Sequence, residues 1–236
     1  MSLFASLGGA GDIWSLSGIS FASPINDILD KSTFTLEDLL EEDELIQEVK
    51  SKNDRLIQFL LTPETLNLLI EYIIQPPTPE LEGIGDDEVK TKRDLRAHKY
   101  PYMSCEVLCC EVPELLKMLV EEEDYLDKLF SFLSSDTILD HYLSGYFEKI
   151  LEMLFRRMTV PMMKYLNVGG TDLLTKFLDH IDSYSIMQIL QRLLLPHIAF
   201  SNSTELENIP YEEIKEFYQC NWTYLVETFK LLFDKV

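Results

Sequence analysis

Three of the four cysteines of this 236-residue chain lie in one short stretch, KYPYMSCEVLCCEVP from Lys99 to Pro113, directly after His98. Thiols and an imidazole in that proximity could bind zinc or carry redox chemistry. Zinc needs four ligands converging on a tetrahedron, usually as two close pairs. Cys105 and Cys109 could share a helix face and His98 could add a third ligand, but Cys220 is far along the chain and no second pair completes the set. A zinc hydrolase is thus the enzyme reading this stretch would support, and it lacks a ligand. A redox pair normally uses C-x-x-C with a depressed thiol pKa. Here the spacing is C-x-x-x-C-C beside Glu106 and Glu111, whose charges disfavour a thiolate. The stretch therefore reads as packing: Cys105 as a small hydrophobe among Met103, Val107, Leu108 and Cys110 on a largely buried helix. Neither a metal nor another cofactor is expected.

Other catalytic arrangements are missing from the sequence. His98, His141, His180 and His197 are scattered, and no G-x-S-x-G turn presents a nucleophile. Gly169-Gly170-Thr171 lacks the lysine of a phosphate-binding loop and reads as a helix stop. These absences predict a chain that is not an enzyme.

Charged groups remain as candidates for binding. LEDLLEEDELIQE carries Glu37, Asp38, Glu41, Glu42, Asp43, Glu44 and Glu48 with no Lys or Arg among them, interleaved with leucines. By default such a run solvates a helix face, yet it can also attract a basic partner. A basic run, KTKRDLRAHK from Lys90 to Lys99, reads as the positive half of a loop, with nuclear import or phosphate contact as the functional alternative.

The elements that must position these groups are helical. Phe147, Ile150, Leu151, Leu154 and Met158 fall on one face of GYFEKILEMLFRRM, with Glu148, Lys149, Glu152 and Arg156 turned away. Leu173, Leu174, Phe177, Leu178 and Ile181 repeat the pattern after the Gly169-Gly170 break, with Thr171 as N-cap. Ser183 caps the next helix, YSIMQILQRLLL, which stops before Pro196. Further starts are expected at Thr35, at Thr62-Pro63, at Asp136 and at Asn221. The total is about nine or ten helices.

Helices this short and consecutive, without sustained heptads, bury their stripes best as antiparallel pairs stacked on one another. The expected fold is all-α, an irregular helical-repeat α-solenoid of the HEAT or armadillo type, with a compact bundle as the alternative. Residues 1–22 are expected to form a flexible lead-in and 23–236 a single domain. A loop insertion is expected over 75–98, set by the Pro, Gly and charge of Gln75 to Leu95.

Forty-one acidic against twenty basic residues give a net charge of -21, which argues against nucleic acid and anionic membrane surfaces as partners. No run of about 18 apolar residues exists to cross a bilayer as a helix. With no secretory n-region and no disulfide framework, a soluble, cytoplasmic protein with possible nuclear access is expected, and the sequons at Asn202 and Asn221 read as caps or loop residues.

FTLEDLLEEDELIQEVKSKNDRLIQFLL, KYPYMSCEVL, GYFEKILEMLFRR and FLDHIDSYSIMQILQRLLLP, together spanning most of Phe34 to Pro196, resemble successive blocks of the SAPS-domain family. The resemblance implies a non-catalytic helical scaffold that binds the catalytic subunit of a serine/threonine phosphatase of the protein phosphatase 6 type, and further regulatory subunits with it. It also implies an N-terminal portion of a longer protein, and the sequence departs from the family's pattern in a longer lead-in before Ser23 and a larger insertion from Gln75 to Leu95. A general helical adaptor for trafficking or cytoskeletal partners is the alternative. The partner surface is expected on Glu37, Asp38, Glu41, Glu42 and Asp43, with Tyr100, Tyr102 and Glu106, because charged and aromatic groups near helix ends make the commoner contacts.

Overall fold

The computed structural model describes residues 23–77, 87–194 and 230–231. Twelve α-helices and no strand occur among the described residues: α1 (Pro24–Leu29), α2 (Leu36–Leu40), α3 (Leu45–Lys50), α4 (Asp54–Leu60), α5 (Pro63–Ile74), α6 (Asp87–Asp94), α7 (Tyr100–Leu108), α8 (Pro113–Glu121), α9 (Glu123–Phe130), α10 (His141–Arg157), α11 (Thr159–Asp179) and α12 (Tyr184–Leu194). The all-α class expected from the periodicity is the class observed. No helix among the described residues is long and apolar enough to cross a membrane. Residues 1–22, the sequons, Cys220, His197 and the helix expected after Asn221, except for the helical Lys230 and Leu231, lie outside the described residues.

Local chemistry sets the helix starts. At α2 the Thr35 Oγ1 accepts the Asp38 N–H while Asp38 Oδ2 accepts the Thr35 N–H at 2.8 Å, a reciprocal capping box. Asn53 caps α4, and its amide also donates to Asn26 Oδ1 at 3.0 Å and Glu48 Oε2 at 2.8 Å, so one side chain ties α1, α3 and α4 together. Pro63 opens α5 at a position where its missing N–H costs nothing.

Two expected boundaries are corrected. The helix expected from Asp136 begins at His141 instead, because the Ser135 Oγ accepts the Thr137 N–H at 3.2 Å and holds a turn there. Asp140 then caps α10, its Oδ1 accepting from Tyr142 N and Leu143 N at 2.8 and 3.0 Å. The loop expected over 75–98 is helical from Asp87: α6 runs through a π turn, Leu95–Lys99, into α7. Pro101 explains the π turn. It has no N–H and its ring crowds the carbonyl four residues back, so the ladder widens, and the Tyr100 N–H reaches the Leu95 carbonyl.

One apolar core runs through the described residues. α7 packs on α2, α3, α5 and α10, and α10 in turn on α5, α11 and α12, so these two helices carry the centre. Phe147 of α10 is completely buried, with the rings of Phe130 and Phe132 at 5.8 and 5.1 Å, and Phe130 also meets Phe177 of α11 at 6.0 Å. Of the face predicted for α10, Phe147, Ile150, Leu151 and Leu154 have no exposure, whereas Met158 follows the helix end and is half-buried. On α11 the stripe holds at Leu173, Leu174, Phe177 and Leu178, but Ile181 lies past the helix end and is 42% exposed. The break expected at Gly169-Gly170 is a kink at Gly170, whose φ of 56° and ψ of -142° leave helical space, and Thr171, expected as an N-cap, lies within α11 just after it.

Candidate protein-binding surface

The acidic run at α2 meets two tyrosines. Tyr72 of α5 donates its hydroxyl to Glu37 Oε1, and Tyr100 of α7 donates to Glu41 Oε1 at 2.7 Å, with the two rings 5.3 Å apart. Burial first, then the hydrogen bond to a carboxylate, pushes both phenols well above their ordinary value, so they stay donors at neutral pH. Lys99 closes the arrangement, donating to the Glu41 carbonyl and lying 3.6 Å from Asp43 Oδ1. Behind it the Arg96 guanidinium stacks 4.6 Å above the Tyr72 ring and donates to the Gln75 carbonyl at 3.0 Å.

This seam separates the residues expected to bind a partner into two groups. Glu37 is half-buried and Glu41 exposed, but both carboxylates accept from tyrosines of the protein itself, and Tyr100 is only 7% exposed, which corrects its expected place on a contact surface. Asp38 and Asp43 are exposed and Glu42 is half-buried at the outer edge. Tyr102, at 48% exposure, faces outward near Tyr146, their rings 6.4 Å apart. Glu106 is half-buried and paired with Lys149.

Tyr102 and Glu106 belong to a second seam, between α7 and α10, that the sequence did not disclose. From one end to the other it pairs His98 with Tyr142 at 6.3 Å, Tyr102 with Tyr146, Glu106 with Lys149, and Glu111 with both Arg156 and Arg157. Burial would raise the Glu111 carboxyl, but the Arg157 hydrogen bond and the charges of both arginines outweigh it and hold it below the ordinary range.

The cysteines sit along this seam as packing groups. Cys105 has no exposure, and its thiol donates to the Tyr146 carbonyl at 3.8 Å; a hydrogen bond with Cys109 and burial keep it protonated. Cys110 donates to the Glu106 carbonyl at 3.2 Å, and burial pushes its thiol up to about 11. Among the described residues no three His, Cys, Asp or Glu side chains converge on a point that could hold a metal ion. Two shallow cavities of about 310 and 300 Å³ flank Ser134, one between Ile74 and Leu143, the other beside Tyr165 and Leu173. The second contains Lys176, whose Nζ donates to Ser134 Oγ at 3.0 Å, and Tyr165, whose hydroxyl donates to Asp127 Oδ1 at 2.7 Å.

Fold and surface together define a helical protein whose polar chemistry, over the described residues, is spent on joining helices to one another. Comparison with known proteins gives that class a family. Over 173 residues the chain is 34% identical to serine/threonine-protein phosphatase 6 regulatory subunit 3 of Gallus gallus, covering 73% of this chain and 18% of that protein. It is 30% identical over the same length to serine/threonine-protein phosphatase 6 regulatory subunit 1 of Homo sapiens, again 73% of this chain and 18% of the relative. Extragenic suppressor of kinetochore protein 1 of Schizosaccharomyces pombe is 29% identical over 181 residues, 75% of this chain and 21% of its own length. The chain belongs to the family of these phosphatase 6 regulatory subunits, of whose length it spans about a fifth. No protein-family profile matches it, and no solved structure does.

Proposed function

We propose that the chain is a non-catalytic regulatory subunit that grips the catalytic subunit of a serine/threonine phosphatase of the phosphatase 6 type and directs it to substrates. The similarity to named regulatory subunits over 173 residues carries this reading. The mechanism is positional. A stack of helices in an irregular HEAT- or armadillo-like array holds a wide surface rigid, and tethering raises the substrate concentration at an active site supplied by the partner. Further regulatory subunits would join the same platform.

The phosphatase contact falls on the outer acids of the α2 edge, the exposed Asp38 and Asp43 and the half-buried Glu42, because Glu37 and Glu41 are occupied by tyrosines. The test is co-purification of the catalytic subunit with the wild-type chain and with the Glu42→Lys, Asp43→Lys double variant, Asp38 being left in place because it closes the Thr35 capping box, with folding checked by circular dichroism. Binding should fall at least about tenfold, the scale for several charges lost from one contact. Unchanged binding would remove the acidic edge from the interface, and no binding by the wild type would remove the phosphatase reading for this chain. Glu41 is kept out of the variant because its loss would leave the Tyr100 hydroxyl without its acceptor.

A further inference from the structure

The cavity of about 300 Å³ beside Tyr165 and Leu173 is walled by two helix faces. α11 contributes Tyr165, Gly169, Asp172 and Lys176, whose spacing of four, three and four residues keeps them on one side of the helix. α9 and the 3₁₀ turn after it, Ser131–Ser134, contribute Asp127, Phe130, Ser131 and Ser134, spaced in the same way. The hollow between them has a cause in the sequence. Gly169 stands in the middle of the α11 wall without a side chain, where a Cβ would meet Leu173 at 2.9 Å, and the helix kinks at the next residue, Gly170. Two hydrogen bonds brace the walls, Tyr165 to Asp127 before the kink and Lys176 to Ser134 after it.

The lining is sorted by depth. Phe130 and Leu173 are buried and form the floor, and the half-buried Tyr165 ring lies 5.0 Å from that of Phe130. Asp127 and Asp172 are exposed at the rim, and among the described residues neither forms an ion pair. Asp127 accepts the Tyr165 hydroxyl at Oδ1 only, which leaves Oδ2 for another donor. The cation of the lining, Lys176, is turned to the neutral Ser134 hydroxyl.

We propose that this cavity takes an arginine side chain from a basic segment of another protein, with the guanidinium against Tyr165 between Asp127 and Asp172 and its methylenes over Phe130 and Leu173. The chemistry of the lining selects that guest. A guanidinium is a planar cation that packs on aromatic rings and donates in pairs to carboxylates, and its stem covers apolar surface. An anion would meet two aspartates against one lysine. No metal-binding group of three His, Cys, Asp or Glu side chains occurs among the described residues, so these two carboxylates do not make a metal site. The volume is at the small end for a ligand pocket, the scale of one side chain. A net charge of -21 draws basic segments toward the molecule, and the cavity gives one of their side chains a fixed place. The site does not depend on the phosphatase reading, since α9 and α11 contribute nothing to the acidic edge of α2.

The test uses the full chain in about 0.15 M salt, where long-range attraction is screened. The probe is the peptide Gly-Gly-Arg-Gly-Gly, acetylated and amidated so that arginine carries its one charge, titrated by ligand-observed proton NMR. The same peptide with citrulline, an uncharged shape mimic of arginine, should bind at least about tenfold more weakly, and the lysine peptide about threefold more weakly. Asp172→Asn should weaken arginine binding about fivefold and Tyr165→Leu about threefold. Asp54→Asn, which removes an exposed charge from α4, should leave it unchanged. If Tyr165→Leu loses helicity, the comparison of Asp172→Asn with Asp54→Asn carries the test, because both alter exposed side chains. Absence of arginine binding would overturn the proposal, as would equal binding of the citrulline peptide. Equal losses from Asp172→Asn and Asp54→Asn would overturn it in favour of diffuse attraction to the acidic surface, and a lysine peptide that bound as tightly would overturn the guanidinium assignment.

Discussion

Glu111 has a φ of 59°, in the left-handed region that side-chain-bearing residues avoid, and it sits in the turn between α7 and α8. What holds it there is the pair of arginines at the end of α10, both donating to its carboxylate. Glu111→Gln keeps the shape and removes the charge, and should cost about 1–2 kcal/mol at pH 7, discounted for the partial exposure of the arginines. The pH dependence has a definite sign. The folded carboxyl lies below its ordinary 4.5, so between those two values the unfolded chain binds more protons, and stability rises with pH. The contribution is complete above pH 4.5 and is lost as the pH falls through the folded value. Urea melts of wild type and variant should therefore converge in acid. A gap that stayed constant from pH 7 to acid would mean the arginines contribute by packing alone.

Helix ends were the most legible part of the sequence, because a cap is a local event: the Thr35 box, the Pro63 start and the Gly169-Gly170 break are all where short-range chemistry puts them. α6 was hidden for the opposite reason. DEVKTKRD has no apolar stripe, so periodicity could not reveal a helix whose exposed side chains face water and which continues into α7. The α2 seam was equally invisible, since Tyr72 and Tyr100 lie 35 and 59 residues from the glutamates they hold, and nothing local announces such a pairing. Two glycines test how far local geometry governs an element. Gly170 adopts a conformation nearly exclusive to glycine, so Gly170→Ala should destabilise by about 1–3 kcal/mol. Gly145 lies inside α10, and a Cβ there would meet nothing within 4 Å, so Gly145→Ala should stabilise by about 0.5–1 kcal/mol through helix propensity. Denaturant midpoints moving in opposite directions would establish the kink as built in; two stabilising substitutions would mean that α11 straightens at little cost.

For the whole molecule the deciding quantity is 41 acids against 20 bases. Ion pairs are present, including Arg192 with Glu152 at 2.8 Å and Arg55 with Asp30 at 2.9 Å, but most of them are partly exposed, and such pairs contribute little. The surplus of 21 negative charges instead repels itself across the folded body, and unfolding relieves part of that repulsion by spreading the chain. Salt acts on both effects with opposite results: it weakens the pairs and it screens the repulsion. The Debye length shrinks to about 10 Å at 0.1 M, a distance over which contact pairs persist while the longer-range repulsion largely disappears. Screening should therefore win. Raising sodium chloride from about 10 mM to 0.2 M should lift the thermal midpoint by about 2–4 °C if about 1 kcal/mol of repulsion is removed, the scale for a domain of this size. Most of the rise should come before 0.1 M, which distinguishes screening from the continuing effect of salt on apolar surface. A midpoint that fell over this range would mean that specific clamps, Glu111 with its two arginines foremost, outweigh the net charge in holding the helices together.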